Sequence, residues 1–377
     1  MSEGTHLSNF AGDKNEWPVY MTIGNLSSKL RQMPTTHTVV IVALLPIPIK
    51  NRNIPQKRLD EQRQTTLEVL NEVLRRILHP LTFKQNPSTE SGYYNVLCAD
   101  RNFRRCKRVL AAWLADCPDY SNLHHLEQHV CMWCECPKNE LGDNVPPDKQ
   151  HPRRDHNLYR TLRDAYTKAA DAILSSRHVP SGFNGFRHIP CIVSDLPKPD
   201  ILHTMQIGML DHLQKWIFHF MKTHERLDKY NAIWLSVPAY HDLTPKNKSY
   251  EEVSQWNGKE MKEMSRYLIG VVTQSLRGGS PAQHPIFNRA IECTRALLEF
   301  YMHDRYTSHD DATLSYTEYT LHCFHTFEDV FLLGRAGKKG KAKANALRSE
   351  LVKKQNVGEE TNADSWTPSK TRREMNA

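Results

Sequence analysis

No stretch of the 377-residue sequence approaches the roughly 18 consecutive apolar residues of a membrane-spanning helix. The most apolar run, THTVVIVALLPIPI at 36–49, is interrupted by prolines and is typical of a buried strand. The N-terminal segment MSEGTHLSNF lacks a basic region followed by an apolar run, so it does not resemble a signal peptide. These absences predict no membrane partner and an intracellular location, nuclear or cytoplasmic, in which the nine cysteines are thiols or metal ligands rather than disulfides.

Four common catalytic signatures are also missing from the sequence. It has no GxxxxGK[ST] phosphate loop, no GxGxxG after a strand, no HExxH and no GxSxG. The usual patterns of nucleotide hydrolases, dehydrogenases, zincin proteases and lipases are therefore disfavoured. The net charge of +8 fits a nucleic-acid partner, but a surplus of this size is also common in proteins that bind none, so charge alone decides nothing.

The order of predicted elements indicates an α/β core followed by a large helical region. Alternating or continuous apolar residues predict strands at 17–26, 39–45 and 93–99, the second of them the most fully buried. Helical spacing predicts one helix in the segment that begins at Pro55 and a second over 102–115. Beyond residue 155 nearly everything is predicted to be helical, at 157–175, 200–224, 258–274, 285–303 and 312–333.

Asp100 stands where the third predicted strand ends and a helix is expected to begin. Catalytic carboxylates often occupy such positions because the strand fixes the backbone while the side chain reaches a groove. The alternative interpretation is that Asp100 caps the following helix through its side-chain oxygen. Position alone does not separate these two roles.

The segment HVCMWCECPK at 129–138 places three cysteines within six positions. The C-x2-C spacing of Cys131 and Cys134 allows two thiolates to bind one Zn2+, but redox pairs and plain buried cysteines share this spacing. Cys136 and His129 are further possible ligands. A second cluster, PDILHTMQIG, holds Asp200 and His203 at a spacing that lets both side chains face one way on a helix. A helix cap for Asp200 and a core histidine for His203 remain the alternatives.

Five blocks in order resemble one family. They are SEGTHLSNFAGDKNEWPVYMTIGNL, CAD at 98–100, VCMWCECPKNELG, PDILHTMQIGMLDHLQKW and SQWNGKEMKEM. Together, from about residue 2 to about residue 355, they are similar to the Plavaka transposases of the Kyakuja–Dileera–Zisupton group of DNA transposons. This group is abundant in fungal genomes and related to CACTA-type elements.

The resemblance implies an RNase H-like core, with a mixed sheet and a helical insertion, that cleaves DNA and transfers strands. Its DDE-type acidic triad would bind two Mg2+ or Mn2+ ions, which activate the attacking oxygen and stabilise the leaving one. The triad carries over to Glu3, Asp100 and Glu260, with Glu263 and Glu252 as rivals for the last position. Glu3 stands where the family has Asp, and Arg101 stands where a glycine usually follows the second Asp.

The family's zinc signatures match Cys131 with Cys134 and Asp200 with His203. The resemblance thus joins the two clusters into one expected zinc site that ties the helical insertion to the core. The expected divisions are a partial RNase H-like core at 1–120, a zinc-type segment and loop at 121–155, a mainly helical part at 156–335 and a basic, partly disordered tail at 336–377.

Because the chain begins two residues before the first acidic position, we expect the first core strand to be largely missing and the copy to be a degenerate, inactive fragment. The expected partner is DNA, and a homo-oligomer is compatible with this ancestry. The alternative is a non-catalytic, zinc-stabilised protein that binds DNA or another protein.

The C-x2-C pair generates the first testable prediction. Protein purified under reducing conditions is expected to contain zinc, because two thiolates at this spacing supply half of a tetrahedral site. Elemental analysis measures the metal, and a Cys131→Ser, Cys134→Ser variant should lose it while Cys323→Ser retains it. Wild-type protein with only traces of zinc would contradict the prediction.

Overall fold

The structure is a computed structural model. It describes residues 5–6, 15–47, 55–82, 93–142, 145, 149–180, 184–186, 189, 191–241, 243–244, 247–253 and 256–334. The chain forms two compact units, Met1–Asp200 and Ile201–Ala377. No helix in the described ranges is long and apolar enough to cross a membrane. The predicted tail at 336–377 lies outside the described residues.

The strands that the structure describes in the first unit form three separate antiparallel pairs. The pairs are β1 (Thr5–His6) with β2 (Asn15–Glu16), β3 (Pro18–Thr22) with β4 (Val39–Leu44), and β5 (Tyr93–Leu97) with β6 (Phe103–Lys107). The expected mixed sheet does not appear among the residues that the structure describes; each sheet there has two strands. The predicted strand at 39–45 is present but wrong in its burial, since Ile41 is 61% and Leu44 57% exposed. Only β3 pairs with it in the described chain.

The helix expected over 102–115 is wrong, because residues 103–107 form β6. The chain reverses after β5 and returns along it, with Leu97 opposite Phe103 and Tyr93 opposite Lys107. The apolar residues that suggested a helix lie beyond the hairpin, where Trp113 is buried and its N–H donates to the Leu196 carbonyl at 2.8 Å. Pairing with β5 thus satisfies backbone groups of 103–107 that a helix would have satisfied internally.

The core of the first unit forms around α2 (Gln56–Leu78), which confirms the helix expected after Pro55. Its buried face carries Leu70, Leu74 and Leu78 at helical spacing. The other α-helices described in this unit are α1 (Ser28–Arg31), α3 (Cys117–Leu123), α4 (His156–Ala165) and α5 (Lys168–Ser176). One helix was expected over 157–175, but Tyr166 adopts a left-handed φ of 48° and ends α4 there. The Thr167 side chain then caps α5.

The second unit, as far as it is described, is helical. A π-helix (Leu202–Met209) continues into α6 (Leu210–Thr223), followed by α7 (Leu227–Leu235), α8 (Gly258–Ser265), α9 (Leu268–Leu276), α10 (His284–Asp304) and α11 (Asp311–Phe327). Their inward faces form one apolar cluster that includes Trp234, Phe287 and Tyr301. The helices predicted beyond residue 200 therefore exist, although the first begins as a π-helix and the expected helix over 258–274 is interrupted between Ser265 and Leu268.

The chain is accordingly α-rich, with small antiparallel sheets ahead of a large helical region. This agrees with the coarse expectation of an α/β segment plus helices. The boundary between the two compact units falls between Asp200 and Ile201. The finer boundaries predicted at 120, 155 and 335 stay predictions.

Gly185 gives a test of packing in the first unit. A Cβ at Gly185 would lie 2.7 Å from Leu74 Cβ and 2.8 Å from the Asn71 carbonyl oxygen, both fixed parts of α2. We expect Gly185→Ala to lower the free energy of unfolding by about 1–3 kcal/mol through overpacking. Chemical denaturation measures the change. Gly24→Ala is the matched control, since a Cβ there meets nothing within 4 Å; equal losses in the two variants would contradict the prediction.

Candidate functional site

Asp100 lies in the tight turn that joins β5 to β6. The Arg101 N–H donates to the Cys98 carbonyl at 2.9 Å, and the Cys98 N–H donates to the Asn102 carbonyl at 2.9 Å. Arg101 has a φ of 63°, the left-handed region that favours glycine. A glycine, which the resemblance leads one to expect here, would adopt this conformation without the steric cost that a Cβ adds.

Both carboxylate oxygens of Asp100 are bound by one guanidinium. Arg104 donates from its two terminal nitrogens at 2.8 Å to Oδ1 and 2.6 Å to Oδ2. The Asn102 side chain and backbone N–H add bonds at 3.2 Å each. Arg104 first, and Asn102 second, hold the pKa of Asp100 down at about 2. Asp100 therefore caps a turn rather than a helix, and a divalent cation would have to displace Arg104 from both oxygens.

The glutamates considered for the third acidic position occupy local structural roles in the second unit. Glu260 Oε2 accepts the Asn257 N–H at 3.2 Å, and Asn257 Oδ1 accepts the Glu260 N–H at 2.9 Å, a capping box at the start of α8. Glu252 forms a similar box with Ser249, whose N–H donates to it at 2.7 Å. Glu263 is buried, 4.0 Å from Lys259 Nζ. Glu3 lies outside the described residues.

Cys131 and Cys134 are neighbouring reduced thiols. Their sulfurs are 3.3 Å apart, and the Cys134 N–H donates to Cys131 Sγ at 3.4 Å. This separation far exceeds the roughly 2.05 Å of a disulfide and is close to the about 3.8 Å edge of a tetrahedron with Zn–S bonds near 2.3 Å. Burial and the Cys131 thiol raise the pKa of Cys134 to about 11, so a metal would have to compensate for the cost of ionising it. The pair fits two positions of a zinc site.

A buried arginine fixes the loop that carries these thiols. Arg154 is 3% exposed, and its Nε donates to the Cys131 carbonyl at 2.6 Å while a terminal nitrogen donates to the Arg177 carbonyl at 3.0 Å. On the same loop, Glu135 Oε1 accepts both the Tyr159 hydroxyl and Arg177 at 2.6 Å. The loop is thereby attached to α4 and to the end of α5.

The other proposed zinc ligands are placed as follows. Asp200 is the last residue of the first unit, and His203 lies in the π-helix of the second. His129 is exposed, with a φ of 61°, and Cys136 is buried with its thiol 3.6 Å from the Pro137 carbonyl. Within the described ranges, no three His, Cys, Asp or Glu side chains are placed to hold one ion. The four-ligand zinc site stays a prediction.

Two buried histidines of the first unit have ring nitrogens without hydrogen bonds to any residue that the structure describes. His124 is 1% exposed, and within the described ranges neither its Nδ1 nor its Nε2 has a partner, nor does the buried Nε2 of His156. Their ring centroids are 5.8 Å apart. Burial lowers the pKa of each to about 3, with His156 adding to the effect at His124, and Arg154 and Arg163 adding at His156. Both rings are therefore neutral near pH 7.

This pair predicts acid lability of the first unit. Because the unfolded pKa is near 6.5 and the folded pKa near 3, the unfolded chain takes up protons first, so stability is complete above pH 6.5 and declines as pH falls towards 3. His124→Phe keeps an aromatic ring and should flatten this decline by about 1.4 kcal/mol per pH unit. Urea denaturation between pH 7 and pH 4 measures the slope. An unaltered slope in His124→Phe would contradict the prediction.

Sequence reasoning identified neither Arg104 as the partner of Asp100 nor His124 as a buried residue. The turn itself had a signal, because Asp and Asn at 100 and 102 are residues whose side chains stabilise turns. A histidine without hydrogen-bond partners has no sequence pattern.

The family model described as Plavaka transposase matches residues 1–217. No curated protein and no solved structure matches the chain. The match covers more than half of the sequence, including Asp100, both cysteines and the Asp200–His203 block. The chain belongs to the Plavaka transposase family.

Proposed function

We propose that this chain is a transposase-derived protein that binds DNA and no longer performs the DDE chemistry of its family. The single observation that carries the proposal is the bidentate pairing of Asp100 with Arg104. Family membership supports the transposase origin and a DNA partner in general. An RNase H-like ancestry of the first unit is part of the proposal.

Metal-dependent strand cleavage needs carboxylate oxygens that can bind two divalent cations. Asp100 offers its oxygens to a guanidinium, and a second cation, Arg101, follows it in the turn. Glu260 is engaged at a helix N-terminus. This arrangement does not fit the metal pair, and no catalytic step is assigned to these residues.

We propose that this chain still binds zinc. Cys131 and Cys134 would hold it with thiolate ligands, with Asp200 and His203 as the family-derived candidates for the remaining positions. Zinc bound at the cysteine loop would stabilise the fold by attaching ligands that lie far apart in the chain. The proposed role of zinc is structural, not catalytic.

A second candidate function, a protein-binding module, rests on the apolar surface of β4. Val39, Val40, Ile41, Val42 and Leu44 are each more than 40% exposed. Exposed apolar strands favour pairing with another chain, which includes a second copy. DNA binding is preferred because family membership supports it directly.

Cleavage assays test the proposed loss of activity. We expect the wild-type chain to leave supercoiled DNA carrying transposon ends intact in Mg2+ or Mn2+, because Arg104 occupies both Asp100 oxygens. Asp100→Ala should behave like the wild type. The proposal fails if the wild type nicks this DNA with either metal, Asp100→Ala abolishes nicking and the exposed-surface control Asp60→Ala does not.

A further inference from the structure

The β5–β6 hairpin does not contribute to the apolar core described for the first unit. None of residues 93–108 belongs to the apolar cluster around α2, and nearly all of them are exposed. The same sixteen residues carry five basic side chains and one acidic side chain, a net charge of +4. The acidic one is Asp100, which pairs with Arg104. The whole chain has a net charge of +8, so half of this charge lies on one exposed hairpin.

The two faces of this hairpin differ. On one face Tyr94 and Cys106 are half-buried, and Arg104 is held by Asp100. On the other face every side chain is exposed, and each residue of β5 lies opposite a residue of β6. We name this second surface the ribbon face; it consists of Tyr93, Asn95, Leu97, Phe103, Arg105 and Lys107.

The ribbon face combines cations with aromatic and amide groups. The Arg105 guanidinium lies over the Tyr93 ring, 4.4 Å from its centroid, so the ring restrains the long side chain. Lys107 is directly opposite Tyr93, Asn95 is opposite Arg105, and Phe103, 72% exposed, is opposite Leu97 at the turn end. Two cations two residues apart on one strand therefore point the same way, about 7 Å apart along it.

We propose that the ribbon face is the surface with which this chain binds duplex DNA. A two-stranded antiparallel ribbon fits the major groove, where Arg and Lys contact phosphates and an amide can bind a base edge. Arg105 and Lys107, about 7 Å apart along the strand, can each contact a different phosphate. The proposal rests on the proposed function, and it assigns the DNA contact to a defined surface.

Anisotropy titrations with a short fluorescent DNA duplex test the assignment. Arg105→Gln with Lys107→Gln should weaken binding about tenfold and reduce the slope of log affinity against log salt by about 2, because two phosphate contacts are lost. The matched control removes the same charge from the exposed start of α2, through Lys57→Gln with Arg58→Gln, and should change neither quantity appreciably. Circular dichroism establishes that both variants fold.

A gain-of-binding variant keeps the test independent of unfolding. Asp100→Asn removes the hairpin's acidic residue and releases Arg104, so it should tighten duplex binding and steepen the salt dependence.

Equal weakening by the ribbon-face and control pairs would overturn the assignment in favour of diffuse attraction. Tighter binding to the single strand than to the duplex would overturn the duplex assignment. A wild type that binds no DNA would instead overturn the proposed function, whereas wild-type binding that the ribbon-face variant retains would overturn this inference alone.

Discussion

The first unit depends on the hydrogen bonds of one buried amide, Asn71. Its side chain on α2 is fully buried, and Oδ1 accepts the Gly185 N–H at 2.7 Å. Its Nδ2 lies 2.9 Å from the Leu67 carbonyl and 3.1 Å from His125 Nδ1. One side chain thus joins α2, the segment around Gly185 and the chain that leads into the cysteine loop. A buried polar group of this kind stabilises the fold only when its partners are present, so these three segments are ordered together.

Helices were predictable where the spacing of apolar residues in the sequence matches the face that the fold buries. α2 has regularly spaced apolar residues between prolines, and the helices of the second unit have similarly strong periodicity. The break between α4 and α5 was not predictable, because nothing in the sequence indicates that Tyr166 adopts a left-handed backbone conformation. The hairpin at 93–107 was mistaken in its second half because the apolar residues that suggested a helix over 102–115 lie beyond residue 107, where Trp113 is buried.

The residues of the candidate site could be predicted from the sequence, but the contacts around them could not. Spacing alone indicated that Cys131 and Cys134 are close, and their sulfurs are in contact. Neither the buried Arg154 that holds their loop nor the orientation of Asp100 could follow from spacing, because both depend on partners distant in the chain or on the turn conformation. The resemblance supplied the roles of these residues, while the structure supplies the contacts that favour or oppose those roles.

Metal binding and DNA binding place opposite demands on the β5–β6 hairpin. A divalent cation needs a carboxylate without a competing cation, in a region of negative potential. A DNA-binding ribbon needs positive potential, which residues 93–108 supply through five basic side chains against one acidic side chain, Asp100. The +4 charge of residues 93–108 would repel Mg2+ from Asp100 while attracting phosphates to the neighbouring face. The cations that disfavour a metal pair at Asp100 are therefore the ones that the proposed DNA contact would use.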